Sequence, residues 1–299
     1  MILKIEEKIY NIWISLIKNL GVKKYQKLNQ KFGSKKEIWN AKKEDLQSVE
    51  GIGEKLATIL SNECVKKDVL RHLEYMQKHH IDIISIEDKE YPKLLKDIYN
   101  PPLTLYVKGN KQILNETNIA IVGCREATEY GKYVAKNFAF RLSKSGFNII
   151  SGLARGIDSY AHIGTIKAKQ KTVAVLGNGL DTIYPIENLK LAESILENNG
   201  AIISEYPLGT KPEKENFPAR NRIISGLCNG VLVVEAKPKS GTMITVDFAL
   251  DQGRDVFVIP GNVDSVCSMG CNELIRQGAK LVTTPDEIIE EYMDLNKLT

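Results

Sequence analysis

The sequence predicts an α/β protein, in which an extended Rossmann-like, doubly wound, mostly parallel sheet follows a small all-helical N-terminal domain. From residue 119 onward, short apolar runs alternate with helical patterns of roughly 10 to 15 residues. Before that point, apolar residues recur at helical spacing. The length of 299 residues and the 43% hydrophobic content allow about two domains with a substantial core. We place the helical domain at residues 1–66 and the Rossmann-like domain at residues 67–299.

Short helices account for the N-terminal domain. Helical spacing of apolar residues predicts a helix over Lys4–Leu20, and Gly21 fits its end. Leu46–Leu60 reads LQSVEGIGEKLATIL and resembles the helix-hairpin-helix of small DNA-binding domains. Its glycine turn leaves backbone amides free to meet a phosphate, although such short motifs are often purely structural. We expect the structural role and keep DNA contact as the alternative.

Strand signals begin in the segment that joins the two regions. Val69–Met76 predicts a helix, and Ile81–Ile86 and Leu103–Val107 predict short strands. The apolar strands of the Rossmann-like domain are then predicted at Ile119–Val122, Asn148–Ser151, Thr172–Leu176, Ala201–Ser204, Val231–Glu235, Val256–Ile259 and Lys280–Val282.

Charge and cysteine content restrict the class of protein. The net charge of +4 is too small to establish a nucleic-acid partner, so a positive site has to arise from local placement of cations. Five scattered cysteines favour a reducing compartment, and we interpret Cys267 and Cys271 as free thiols rather than zinc ligands. The N-terminus lacks the pattern of a signal peptide, and no apolar run is long enough to span a bilayer. We therefore expect a cytoplasmic protein without a membrane partner.

Basic and glycine-rich segments follow the carboxyl ends of the predicted strands, where doubly wound sheets bind ligands. Guanidinium groups bind two phosphate oxygens at once, glycines let backbone amides approach a phosphate, and an aromatic ring can stack on a base. Alternatives are solvated lysines in a surface loop and a packing role for the aromatic ring. The predicted binding residues are Gly123, Arg125, Ser151, Gly152, Arg155, Phe217, Arg220, Asn221, Arg222, Lys237, Lys239, Ser240, Gly241 and Thr242.

The sequence contains only incomplete versions of known cofactor-binding and catalytic motifs. Gly177–Gly179 begins like a dinucleotide fingerprint, but Thr182 stands where the third glycine belongs. Ser151, Asp158 and His162 suggest a catalytic triad, yet no nucleophile elbow is present, and we interpret His162 as structural. We expect no cofactor, no metal and no catalytic residue.

Seven ordered segments resemble those of the DNA-processing protein A family, also called DprA or Smf. They read IAIVGCR, SGLARGIDSYAH, LGNGLDTIYP, SEYPLGTKP, FPARNRIISGL, VVEAKPKSGT and GRDVFVIPGN. The resemblance implies an extended Rossmann fold that binds and protects single-stranded DNA, forms a homodimer and loads RecA in natural transformation and recombination, without catalysis. The N-terminal region is similar to the SAM-like domain of the family.

Two features depart from the family pattern. Cys124 stands where the family usually has serine, so one hydroxyl donor is lost while Arg125 is kept. The chain ends at Thr299, without the winged-helix-like domain that many members carry. We therefore do not expect functions that depend on that domain.

A nucleotide-monophosphate hydrolase is the second hypothesis. The loop ending at Thr242 and the pair Arg220–Asn221 resemble those of lysine-decarboxylase-like phosphoribohydrolases, whose GGxGTxxE motif carries a catalytic glutamate. Here the position three residues after Thr242 is Thr245, and Asp247 lies on another side of the helix. Binding without hydrolysis is therefore the favoured function. A third, weaker hypothesis is a sensor that binds a small nucleotide and signals through its N-terminal domain.

Overall fold

A sheet of nine strands, β1 to β9, is the central layer of the structure, a computed structural model that describes residues 2–293. The strands are β1 (Ile81–Ser85), β2 (Thr104–Gly109), β3 (Asn118–Val122), β4 (Asn148–Ser151), β5 (Thr172–Val175), β6 (Ala201–Ser204), β7 (Gly230–Val233), β8 (Asp255–Val258) and β9 (Lys280–Leu281).

The strand order is β1-β2-β6-β5-β4-β3-β7-β8-β9. The pairs β1–β2 and β2–β6 are antiparallel, and every other pair is parallel. The predicted fold class, a mostly parallel doubly wound sheet, is confirmed. Since β3 is flanked by β4 and β7, the order reverses between β3 and β7, and such a switch point leaves a crevice at the carboxyl ends of the strands.

Continuous apolar strands are buried on both faces because helices cover both sides of the sheet. In β3, Ile119 and Ile121 pack into one layer, and Ala120 and Val122 pack into the other. The helices are α1 (Ile2–Leu16), α2 (Val22–Phe32), α3 (Lys35–Asn40), α4 (Lys43–Gln47), α5 (Glu54–Leu60), α6 (Glu63–Lys78), α7 (Lys93–Lys96), α8 (Glu129–Lys144), α9 (Ile157–Lys167), α10 (Leu189–Glu197), α11 (Asn216–Gly226), α12 (Gly241–Asp251), α13 (Val266–Arg276) and α14 (Asp286–Met293).

Each face of the sheet has its own set of helices. Buried residues of α7, α11, α12 and α13 pack on the face that carries Ala120 and Val122. Buried residues of α8, α9 and α14 pack on the face that carries Ile119 and Ile121. Helix α10 extends that second layer over β5 and β6, where it meets the N-terminal helices. This arrangement fixes the positions of the loops that follow β3, β4 and β7.

The N-terminal helices pack directly against the antiparallel edge of the sheet. Trp13 is fully buried and contacts Trp39 edge-to-face with ring centroids 5.2 Å apart. The same hydrophobic cluster continues through Ile83 and Tyr106 into the sheet, and the hydroxyl groups of Ser15 and Tyr106 lie 2.6 Å apart. The helical region and the sheet therefore share a core.

Two details of the N-terminal region differ in extent from the sequence-based expectation. The helix predicted over Lys4–Leu20 ends at Leu16, because the chain turns there and Asn19 takes a left-handed conformation with φ +64°. The expected domain boundary after residue 66 falls inside α6, which runs without a break to Lys78. The helix-hairpin-helix pattern does form a turn between α4 and α5, with Gly51 at φ +87°.

Among the helices of residues 2–293, none combines the length and the apolar character that crossing a membrane requires.

Candidate nucleic-acid interface

A trough of about 770 Å³ lies at the switch point between β3 and β7. It is bounded by the loops that follow β3, β4 and β7 and by the beginning of α11. The structure brings together here a subset of the predicted binding residues: Gly123, Arg125, Phe217, Arg220, Asn221, Lys237, Ser240, Gly241 and Thr242.

Arg125 is an exposed cation at the rim of this trough. Its guanidinium carbon lies 5.7 Å from the centre of the Phe217 ring, a distance at which a cation is attracted to an aromatic face. Within residues 2–293 no carboxylate forms an ion pair with Arg125. The guanidinium is thus positioned by the ring and free to bind an anion.

Lys237 lines the same trough and is only weakly held. Its ammonium is 3.1 Å from the carboxylate of Glu126, and both side chains are largely exposed. Exposed pairs of this kind contribute about 0 to 1 kcal/mol. A phosphate group can therefore replace Glu126 as the partner of Lys237 at little cost.

Two aromatic rings form one side of the trough. Phe217 and Tyr184 lie with their ring centroids 5.5 Å apart and their planes inclined by 33°. Tyr184 is 45% exposed. A Cβ atom at Gly177 would lie 2.9 Å from the Phe217 ring, so the glycine makes room for that ring. Paired rings beside cations are typical of surfaces that stack nucleobases.

Sequence reasoning missed Tyr184 and Lys214. Tyr184 follows β5 within the quoted segment LGNGLDTIYP, and its position beyond a strand end was the available signal. Lys214 is exposed, lies just before the start of α11 and lines the trough. No ion pair involves Lys214 in the part of the chain that the structure describes.

The start of α12 supplies backbone donors to the trough. Ser240 is the N-cap residue, and its side chain makes no capping hydrogen bond. A Cβ atom at Gly241 would meet nothing within 4 Å, so the first turn of α12 is open towards the trough. Unpaired amides at a helix start favour an anion.

Arg220 lies beneath the trough, where it holds three loops together. Its side chain is only 4% exposed. Nη1 donates to the carbonyl oxygen of Gly152 at 2.8 Å and also to the carbonyl oxygen of Val175. Gly152 begins the loop after β4 and Val175 ends β5, so Arg220 joins both strand ends to α11.

Asp158 completes this buried network. Its Oδ2 accepts hydrogen bonds from the backbone amides of Gly152 at 3.1 Å and Ala154 at 3.4 Å. Burial raises the pKa of Asp158, while Arg220 and the two amides oppose that increase. Burial also lowers the pKa of Arg220, to about 10, so the guanidinium keeps its charge at neutral pH.

Gly152 and Gly156 permit the close approach of these loops. A Cβ atom at Gly152 would lie 2.6 Å from the Arg220 guanidinium. Gly156 has φ +74°, and a Cβ atom there would lie 2.2 Å from the carbonyl oxygen of Cys124. Gly152 therefore lets the Arg220 guanidinium approach the loop after β4, and Gly156 lets that loop pack against the turn that carries Arg125.

Several predicted binding residues lie outside the trough. Arg155 is exposed and paired with Glu187. Arg222 makes a two-point contact with Glu205, with Nη1 and Nη2 at 2.7 and 2.6 Å from its carboxylate oxygens, and lines a different cavity. The remaining predicted residues outside the trough lining are Ser151, Gly152 and Lys239.

The suggested catalytic triad is not assembled. Ser151 Oγ donates to the carbonyl oxygen of Ile121 at 2.7 Å. His162 is fully buried, with Nδ1 2.8 Å from the hydroxyl of Thr172. The hydroxyl and the imidazole thus have other partners, and His162 has the structural position expected for it.

Comparisons with known proteins decide the family. Residues 82–293 match the model of the family described as DNA recombination-mediator protein A. The chain is 44% identical over 227 residues to DNA processing protein DprA of Bacillus subtilis, which covers 76% of each chain. The chain belongs to the DNA recombination-mediator protein A family.

Solved structures of DprA proteins share its fold. The DprA structure from Streptococcus pneumoniae has a TM-score of 0.73 and 35% identity, covering 95% of this chain and 96% of that one. A structure described for the single-stranded DNA binding mode of DprA from Helicobacter pylori has a TM-score of 0.65 and 32% identity, covering 72% of this chain and 98% of that one.

The buried position of Arg220 in this DprA-family chain predicts a large effect of its removal on stability. We expect Arg220→Met to lower the free energy of unfolding by about 3–5 kcal/mol, because the buried carbonyls of Gly152 and Val175 lose their donor and buried Asp158 loses the nearby positive charge. The matched control is Arg155→Met, an exposed arginine, for which we expect a change within about 0.5 kcal/mol. Urea unfolding followed by circular dichroism measures both. Equal effects of the two substitutions would contradict the assigned role of Arg220.

His162 predicts a pH dependence of stability. Burial, with Arg220 nearby, lowers the pKa of His162 to about 3 from its ordinary 6.5. Below 6.5 the unfolded chain binds a proton that the folded chain excludes, so stability is greatest above 6.5 and falls as the pH falls. This group contributes a loss of about 1.4 kcal/mol per pH unit.

We expect His162→Asn, whose amide can keep the bond to Thr172, to lose that part of the dependence. The measurement is the difference in free energy of unfolding between about pH 7 and about pH 5. If the variant and the wild type lose the same free energy over this interval, His162 does not carry the effect.

Proposed function

We propose that this protein binds single-stranded DNA in the trough, with backbone phosphates on its cations and bases against its aromatic side. The observation that carries the proposal is Arg125, an exposed guanidinium held over Phe217 with no carboxylate to neutralise it in the described part of the chain. Lys237 and Lys214 extend the positive charge along the trough. The open start of α12 adds backbone amides.

A single strand fits this site better than a duplex. Its bases are free to stack, and the rings of Phe217 and Tyr184 lie beside the cations that would hold the adjoining phosphates. In a duplex those bases are paired and unavailable. The relative from Helicobacter pylori is described by its single-stranded DNA binding mode, which supports the same ligand class here.

The trough residues divide into contact and positioning roles under this proposal. We assign phosphate or base contact to Arg125, Lys214, Phe217 and Lys237, which line the trough, and to Lys239, an exposed residue of the loop between β7 and α12. Arg220, Gly152 and Ser151 position the loops, and Asn221 fixes α11 to α12 through its bond to the carbonyl of Gly241 at 3.1 Å.

We further propose that the protein protects incoming DNA and loads RecA as a homodimer in the cytoplasm. Membership of the DNA recombination-mediator protein A family supports these roles. We propose no catalysis, since Thr245 is buried and donates to the carbonyl of Gly241 where a phosphoribohydrolase has its glutamate.

The proposal predicts a specific loss in Arg125→Ala. We expect affinity for an oligo-dT strand of about 20 nucleotides to fall roughly tenfold, because one charged phosphate contact is removed. The slope of log K against log salt should become shallower by about 0.7, the value for one contact to a single strand. Fluorescence anisotropy from about 50 to about 200 mM salt measures both quantities.

The matched control is Arg141→Ala, an exposed arginine paired with Asp286 at the last turn of α8. It should bind as the wild type does. Wild-type affinity and slope in Arg125→Ala would contradict the site.

The partner roles have a separate test. Sedimentation velocity should give twice the monomer mass, and the protein should speed the assembly of RecA on single strands coated with single-strand-binding protein. A monomer at all concentrations, or no change in the RecA rate while DNA binding persists, would contradict these roles without affecting the DNA site.

A further inference from the structure

Three of the five cysteines gather around the segment that leaves β7. The backbone amide of Cys124 donates to the carbonyl of Glu235 at 2.8 Å, and the amide of Ala236 donates to the carbonyl of Cys267 at 2.7 Å. Cys271 lies one turn further along α13 and is buried. The β3 turn and the first turn of α13 are therefore fixed on either side of the same two residues.

The thiol of Cys267 lies next to the chain segment that begins with Cys124. Cys267 Sγ donates to the carbonyl of Glu126 at 3.8 Å, only two residues beyond Cys124. Cys267 is near enough to Cys124 to contribute to raising the pKa of the Cys124 thiol. Cys124 lines the trough beside Arg125. Cys124 thus lies in the wall of the trough, and Cys267 lies close to it outside the lining.

The two thiols differ in accessibility. Cys267 is half-buried, whereas Cys124 is buried. Burial is the main cause, and the neighbouring Cys267 the second, of a rise in the pKa of Cys124 to about 12. Because the thiolate is the reactive form of cysteine, Cys267 is the thiol that an oxidant reaches first. No group of three or more His, Cys, Asp or Glu side chains within residues 2–293 is arranged to hold a metal ion, so the cluster is available for thiol chemistry.

We propose that Cys124 and Cys267 are a modification site, at which hydrogen peroxide produces a reversible disulfide in the trough wall. The thiolate of Cys267 attacks one peroxide oxygen, the O–O bond breaks, and hydroxide leaves, which gives a sulfenic acid on Cys267. The sulfur of Cys124 then attacks that sulfur. An S–S bond forms, the S–O bond breaks, and the oxygen leaves as water with the proton from Cys124. In total, two thiols are oxidised and one peroxide is reduced to two waters.

The bond would tie the first turn of α13 to the turn that carries Arg125. Since family members usually have serine at the position of Cys124, this chemistry is specific to chains that carry the cysteine. A small thiol reductant restores both thiols by exchange. The inference depends on the proximity of Cys124 and Cys267 and not on the proposed DNA ligand.

The test is oxidation of the folded full-length chain with a small excess of hydrogen peroxide. Free thiols are then alkylated, and proteolytic peptides are analysed by mass spectrometry without reduction. We expect a linked pair of peptides that contain Cys124 and Cys267, and its disappearance on treatment with dithiothreitol. Links from Cys267 to Cys271, or recovery of both Cys124 and Cys267 as alkylated thiols while Cys64 is oxidised, would overturn the proposal.

Variants separate the two chemical steps. In Cys124→Ser, the sulfenic acid on Cys267 lacks its partner and should be trapped by dimedone, whereas in Cys267→Ser no link should form. The matched control is Cys64→Ser, an exposed cysteine of α6, which should keep the wild-type link. Dimedone is also added to the wild type at early times, so that the test does not depend on the folding of Cys124→Ser. If no dimedone adduct forms on Cys267 in either protein, the proposed order of the steps is contradicted.

Discussion

The buried guanidinium of Arg220 is the interaction on which the binding surface depends. It joins the carbonyl ends of two strands to α11, and Asp158 compensates its charge while accepting amides from the adjacent loop. Opposite charges buried near each other are costly to desolvate, and the removal of one of them is costly too. The role of Arg220 is to position structure, because its bonds fix the loops after β4 and β5 relative to α11, the helix that carries Phe217.

The positive charge of the trough depends on which arginines and lysines are paired with carboxylates elsewhere in the fold. Arg220 is buried and bonded to backbone carbonyls. Arg222 is paired with Glu205, and Arg155 is paired with Glu187. Arg125 and Lys214 have no such partner in the described residues, and both line the trough. A chain with a small overall charge thereby presents a concentrated positive site, as electrostatic focusing in a cleft requires.

The strands and the edge of the sheet that carries the site were predictable because both depend on local pattern. The predicted strands at Asn148–Ser151 and Ala201–Ser204 agree with the structure at both ends, since a strand buried on both faces reads as a continuous apolar run. The position of Arg125 at the switch point was predictable for a related reason, because this residue closely follows a predicted strand.

Which arginines pair with carboxylates, and which remain free to bind a ligand, was not predictable from the same sequence patterns. Arg155 and Arg222 carry the same chemistry as Arg125, but carboxylates distant in sequence take them out of the trough. Arg220 is adjacent to Asn221 in the chain and yet points into the protein rather than towards a ligand. Tyr184 reaches the trough only because the long loop after β5 folds back over Phe217. These outcomes depend on tertiary contacts that periodicity does not encode.

The most direct test is a crystal structure of the protein with a bound oligo-dT strand. The account predicts phosphates within hydrogen-bonding distance of Arg125 and Lys237, a base against Phe217, and Arg220 still bonded to the carbonyls of Gly152 and Val175. A strand bound on another surface, or Arg220 rotated out of the protein to contact a phosphate, would contradict it.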